Sequence, residues 1–136
     1  MVCAIADQNV SEWGCYGSLI PGADGFAIGT GAQNTADILA GCSGSGIAAK
    51  VCDDLVLNDY TDWFLPSMNE LDEMFLNKAA IDATAVAHGG SSFNPTLYWS
   101  STEHTKYLAW GMPFSNGIPS HPLKHVAASV RAVRNL

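Results

Sequence analysis

An α+β domain is the fold class this sequence predicts, and three observations predict it. Helix signals, caps followed by apolar positions three and four apart, lie between residues 34 and 88. Strand signals, aromatic and β-branched runs bounded by turns, lie between residues 97 and 133. The 136 residues are 48% apolar and 10% aromatic, which suits one real core and a single domain over residues 1–136. Helices followed by strands around one core is the α+β arrangement.

The elements follow in order. Val2 to Ala6 reads as a short strand, and the glycine-rich stretch through Gly31 reads as a turn-laden loop. Asn34 or Thr35 caps a short helix that turns Ile38 and Leu39 inward and ends at Gly41. Ser43-Gly44-Ser45-Gly46 breaks it, and a second helix starts near Ile47, with Ile47, Val51 and Leu55 as its apolar stripe. Asp62 to Pro66 is extended, because the residue before a proline is pushed out of the helical region. Ser67 and Glu70 then form a capping box for a helix burying Leu71, Met74 and Phe75. Asn77 to His88 is alanine-rich and helical, and Gly89-Gly90 stops it. Leu97 to Thr102, Tyr107 to Phe114 and Val130 to Val133 read as strands, with Asn116-Gly117 as a turn.

Charge narrows the function. The net charge is −7, but residues 1–103 hold all 13 acids and two bases, for −11, whereas residues 104–136 hold four bases and no acid, for +4. Four bases over that length are a thin patch for phosphate, so nucleic acid is not the expected partner. No apolar run approaches the ~20 residues of a membrane span, and no signal peptide is visible at the start. Export by another route, or delivery as part of a particle, is the expectation that goes with a virion, cell-surface or extracellular location. Cys3, Cys15, Cys42 and Cys52 show no C-x-x-C spacing, which argues against structural zinc. Two disulfides, Cys3 with Cys15 and Cys42 with Cys52, or buried free thiols both suit the pattern.

Signatures of catalysis are missing. There is no G-x-S-x-G, H-E-x-x-H or Walker A sequence, and Gly29-Thr30-Gly31 is a lone turn. Ser100, Ser101, Glu103 and His104 are neighbours in one strand, where side chains alternate between faces, so no triad is expected. Asp53, Asp54, Asp59 and Asp62 lack the spacing of a calcium loop. His121 and His125 are four apart, but Pro119 and Pro122 argue against the helix that would aim both at a metal. No enzyme activity, cofactor or metal is expected.

A set of ordered strings is more specific. Asp62-Trp63-Phe64-Leu65-Pro66-Ser67 with Glu70-Leu71, Tyr98-Trp99-Ser100-Ser101-Thr102-Glu103, Ala109-Trp110 with Phe114-Ser115-Asn116-Gly117, and Val130-Arg131-Ala132-Val133-Arg134 together resemble the Lcl C-terminal domain family, long catalogued as a domain of unknown function. Trp13-Gly14-Cys15-Tyr16-Gly17, Ile28-Gly29-Thr30-Gly31 and Asn34-Thr35 extend the resemblance over nearly the whole chain. It implies a C-type-lectin-like fold, two main helices on a small twisted antiparallel sheet, used for ligand binding in surface adhesins and phage or viral proteins. Members usually carry an additional glycine-rich strand before the segment matching Val2-Cys3-Ala4. The strand near Arg131 should then be covered either by Met1 to Ala6 or by a neighbouring subunit.

The segments between those strings obey other rules. Similar members have Asn- and Tyr-rich stretches there, whereas this chain has histidines, prolines and apolar residues in loops that should face water. Related domains also serve as variable proteins of diversity-generating retroelements, in which adenines of a template are randomised, and the insert has the composition such scattering produces. The resemblance therefore implies a binding surface, retroelement-diversified or not, within residues 104–129. Its candidate ligand-binding residues are His104, Tyr107, Leu108, Gly111, Pro113, Ile118, Pro119, Ser120, His121, Pro122, Leu123, His125, Val126 and Ser129. Tyr107, His121, Leu123 and His125 are the anchors, because rigid aromatic and apolar side chains carry most interface energy. Trp99, Trp110 and Phe114 keep the core, and Arg131 and Arg134 pair with Glu103 or Asp62. The expected partner is a protein or glycan receptor, and a homo-oligomer is compatible. The alternative function is a structural virion or adhesin subunit whose C-terminal surface mediates assembly.

Overall fold

The computed structural model describes residues 1–136. It is mixed α+β, with four helices and two sheets. In chain order the elements are β1 (Val2–Cys3), β2 (Gln8–Ser11), α1 (Gly31–Gly41), α2 (Ala48–Asp53), α3 (Met68–Leu76), α4 (Lys78–Ala87), β3 (Leu97–Glu103), β4 (Ala109–Pro113), β5 (Ala128–Val130) and β6 (Val133–Arg134). The larger sheet runs β2-β5-β3-β4 and the smaller is β1-β6. The larger sheet is not wholly antiparallel, since β3 and β5 run parallel through Tyr98 and Ser129.

β3 is the central wall, buried along nearly its whole length. Alternation along it sends Leu97 and Trp99 into one core, with Trp13, Ile38, Ala48 and Cys52, and Tyr98 into a second, with Met68, Leu71, Met74, Met112 and Phe114. Each buried indole finds an acceptor: Trp99 Nε1 donates to Ser11 O at 3.0 Å and Trp13 Nε1 to Ser100 O at 2.9 Å. Trp99 and Phe114 are core residues as the sequence predicts, but Trp110 is only half-buried.

The capping box of α3 is present in both halves, and Glu70 also accepts from Gly29 N at 3.0 Å. α1 begins three residues before the predicted caps, at Gly31. The reason lies in tertiary demand: Asn34 exchanges two hydrogen bonds with the Gly25 backbone, and Thr35 Oγ1 accepts from Leu65 N at 3.0 Å. α2 starts one residue later than read, with Ile47 as its N-cap, and buries Ala48, Ala49 and Cys52.

The predicted final strand is two strands, β5 and β6, parted at Arg131-Ala132. Arg131 turns inward and donates to Asp7 at 2.7 Å rather than to Glu103 or Asp62, while Arg134 does pair with Asp62 at 2.8 Å. Ala132 N meets Gln8 Oε1. The segment beside Arg131 is thus covered by the chain's own start: β1 pairs β6 (Val2 with Arg134), Ala4 N donates to Ala132 O, and β2 pairs β5. β2 has no counterpart in the sequence reading.

The cysteines correct the predicted pairing and bear out free thiols for two of the four. Cys15 and Cys42 form the one disulfide, and Cys3 and Cys52 are free. Pairing by nearness in sequence fails because the loop after Trp13 folds onto the end of α1, while Cys3 joins β1 and Cys52 points from α2 into the core.

Candidate functional site

Residues 104–125 make a ribbon on the outer strand of the larger sheet. The turn 104–108 closes on Leu108 O, which accepts from His104 N and Thr105 N, both at 3.0 Å. The chain then returns alongside β4: Gly111 bridges Ser120 and Leu108 bridges Leu123, both antiparallel, and Lys124 N donates to Tyr107 O at 2.9 Å. Pro122 faces β4, where its carbonyl accepts from Ala109 N at 3.2 Å, while Pro119 lies on the outer edge and offers no N–H there.

Two aromatic clusters stand on the ribbon. In the first, the rings of His104 and His121 lie 4.6 Å apart, and each lies 5.0 Å from Trp110. Phe26, from the loop before α1, packs nearly at right angles to Trp110 with the ring centroids 5.4 Å apart. In the second, Tyr16 meets Tyr107 at 5.1 Å and His125 at 4.7 Å, with Lys106 Nζ 5.1 Å above the Tyr107 ring. The turn 104–108 feeds both clusters, His104 to one and Tyr107 to the other.

Beneath the second cluster lies a buried ion pair. Lys124, fully enclosed, donates to Glu103 Oε2 at 2.5 Å and to Ser18 O at 2.9 Å, and its ammonium sits 4.7 Å from the Trp13 ring. The Glu103 carboxylate also accepts from Ile20 N at 2.9 Å. Lys124 O takes Trp13 N at 3.0 Å and Gly14 N at 3.3 Å, and Gly17 N reaches Lys106 O. The loop 13–20 is therefore fastened to the ribbon on one side and by Cys15–Cys42 to α1 on the other.

The structure brings most of the predicted residues to the surface. His104, Tyr107, Ile118, Pro119, His121, Leu123 and His125 are exposed, with Ile118 at 64%, and Leu108, Pro113, Ser120, Pro122 and Val126 are half-buried. Gly111 and Ser129 are buried, and these two correct the expectation of a uniformly open surface. A Cβ on Gly111 would meet Tyr98 O, and Ser129 Oγ is bonded to Thr96 Oγ1 at 2.9 Å. Ser100 bonds Trp110 O and Glu103 points at Lys124, so neither converges on the exposed His104. Asp53 and Asp54 flank Lys50, and Asp62 is held below the usual carboxylate range by its hydrogen bond to Arg134.

Tyr16, Phe26 and Lys124 were not among the predicted site residues. Tyr16 and Phe26 are 50% and 41% exposed yet fixed by ring contacts. The glycines around Cys15-Tyr16 were a usable signal, because Gly14, Cys15 and Gly17 all take positive φ, the price of holding a tyrosine out on a tight loop. Lys124 gave none, since a lysine in a polar loop reads as solvated.

The largest apolar cavity, about 510 Å³, lies elsewhere, between Met1–Ile5, Ile28 and the facing sides of α3 and α4. Among known families, the model of the Lcl C-terminal domain matches residues 22–134. No curated protein matches the chain.

Proposed function

The chain belongs to the Lcl C-terminal domain family, and from that premise we propose that it is a non-enzymatic binding protein that presents the 104–125 ribbon to a protein or glycan receptor on a C-type-lectin-like scaffold. The observation that carries the reading is a contrast in burial. Trp99, Tyr98, Trp13 and the ion pair beneath the ribbon are enclosed and hydrogen-bonded, while seven candidate residues above them face solvent. A scaffold held from below tolerates change above, which is also what diversification by a retroelement requires. The paired chain ends, β1 with β6, support the lectin-like comparison, and the disulfide supports an extracellular or virion setting.

The test is binding of the whole chain to arrays of glycans and of purified receptor ectodomains. Tyr107→Ala/Leu123→Ala/His125→Ala should abolish the signal and leave the melting temperature within about 2 °C, because these side chains are exposed. Loss of an oligomer instead would favour the structural-subunit reading. For diversification, the neighbouring DNA should hold a near-identical copy of the 104–129 coding segment that differs only at adenines, beside a reverse transcriptase gene. A segment without such a copy is undiversified.

A further inference from the structure

Helix α4 turns Ala80, Ile81, Thr84 and Ala85 toward the amino-terminal segment, so mostly small side chains stand opposite β1, a strand of only two residues. Short side chains leave the gap between them unfilled. The result is the apolar cavity of about 510 Å³, inside the range of about 300–1,000 Å³ that small-molecule sites occupy. Its floor is enclosed, since Ala4, Met74 and Ala85 are each 2% exposed or less. Ile28, Ala80 and Thr84 are exposed and mark its mouth.

Glu73 is the one acidic or basic side chain in the lining, and it is half-buried. Its carboxylate is poorly partnered: Asn77 Nδ2 approaches Oε2 at a long 3.5 Å. None of the six bases of the chain serves it. Lys50, Lys78, Lys124, Arg131 and Arg134 are paired with other acids, and Lys106 lies over Tyr107 on the ribbon. The Met1 amino group makes no ion pair with Glu73 either. A half-buried carboxylate beside an apolar space, with no cation of its own, is complementary to a cation that brings an apolar body. A fatty-acid anion would set its head against Glu73 in a chain that already stands at −7.

We propose that this cavity is a binding site for an amphiphile with an ammonium head and an aliphatic chain. The chain lies over Met74 and Ala85, and the head stands beside Glu73, with the Asn77 amide and the Thr84 hydroxyl on the same lining. Glu73 selects the head by charge. The small residues of α4 set the width open to the chain. The site lies away from the ribbon and works independently of it.

Isothermal titration calorimetry of the whole chain with decyltrimethylammonium, decanol and decanoate, each below its micelle concentration, tests this. The expected order of affinity is ammonium, alcohol, carboxylate, at one site per chain. Dodecyltrimethylammonium should bind about tenfold tighter than the decyl compound, because two more methylenes leave water. Glu73→Gln should weaken the ammonium about fivefold and leave the alcohol unchanged. Ala80→Phe at the mouth and Ala85→Leu on the floor should each weaken both ligands about tenfold by filling the space. Ala80 is exposed, so its variant keeps the fold even where Ala85→Leu does not. Tyr107→Ala/Leu123→Ala/His125→Ala should bind the ammonium as the parent chain does. Decanoate bound as tightly as the ammonium, an ammonium affinity that Glu73→Gln leaves unchanged, uptake without a defined stoichiometry, or binding that survives Ala80→Phe would overturn the proposal.

Discussion

Lys124 carries its charge inside the protein, between flanking residues, Leu123 and His125, that face outward. Its ammonium has three partners, Glu103, Ser18 O and the Trp13 ring, so removing it strands a buried carboxylate. Lys124→Met should lower the unfolding free energy by about 3–5 kcal/mol in urea titration. Adding Glu103→Gln should return part of that loss, because the stranded charge goes with it. Lys124 also divides the 104–129 segment: it is enclosed together with Ala109, Gly111, Met112, Phe114, Ala128 and Ser129, while the seven exposed candidate residues alternate with these buried ones. Arg131 is a second enclosed cation, bonded to Asp7 and to the carbonyls of Ser91 and Ser92. Its Nη1 has no hydrogen-bond partner, and the Phe93 ring 4.2 Å from the guanidinium carbon faces it instead.

Helix α3 shows what a local signal can and cannot reveal. The box of Ser67 and Glu70 was legible because both partners lie within one turn of sequence. Ser67→Ala should cost about 1 kcal/mol in thermal unfolding, and Glu70→Ala more, since Glu70 also holds Gly29 N and is itself buried. The start of α1 was not legible, because Asn34 and Thr35 act across the fold, on Gly25 and Leu65. β2 is short, with two exposed residues, Asn9 and Val10, and its existence depends on pairing with β5 more than a hundred residues later. The exposed positions of the candidate site could be read from apolar residues placed in loops. The rings that flank it could not, since Tyr16 and Phe26 meet Tyr107 and Trp110 only after folding. The disulfide is another such case, joining residues 27 apart past a nearer cysteine pairing.

Taken whole, the molecule is guarded less on its alkaline side. Burial pushes the Cys3 thiol up to about 11 from 9.0, and pushes Cys52 and the Tyr98 phenol further. The folded chain therefore holds these protons more tightly than the unfolded chain does. Their contribution to stability is complete below about pH 9 and falls as pH rises through the raised values. Urea midpoints should drop steadily from pH 9 to 11, and Cys3→Ala should make the drop shallower. At the acid end Asp62 acts in the opposite sense: its lowered value gives stability that is lost as pH falls below 3.8.

The strand made by the two ends has a consequence of its own. Val2 lies across from Arg134, so the polypeptide enters and leaves the domain at one place. A unit with that geometry can be grafted into a surface loop of a host protein, or permuted by a short linker that joins its ends, with little distortion at the junction. The same closure makes it a self-contained cassette for carrying chosen ribbon sequences from one host to another.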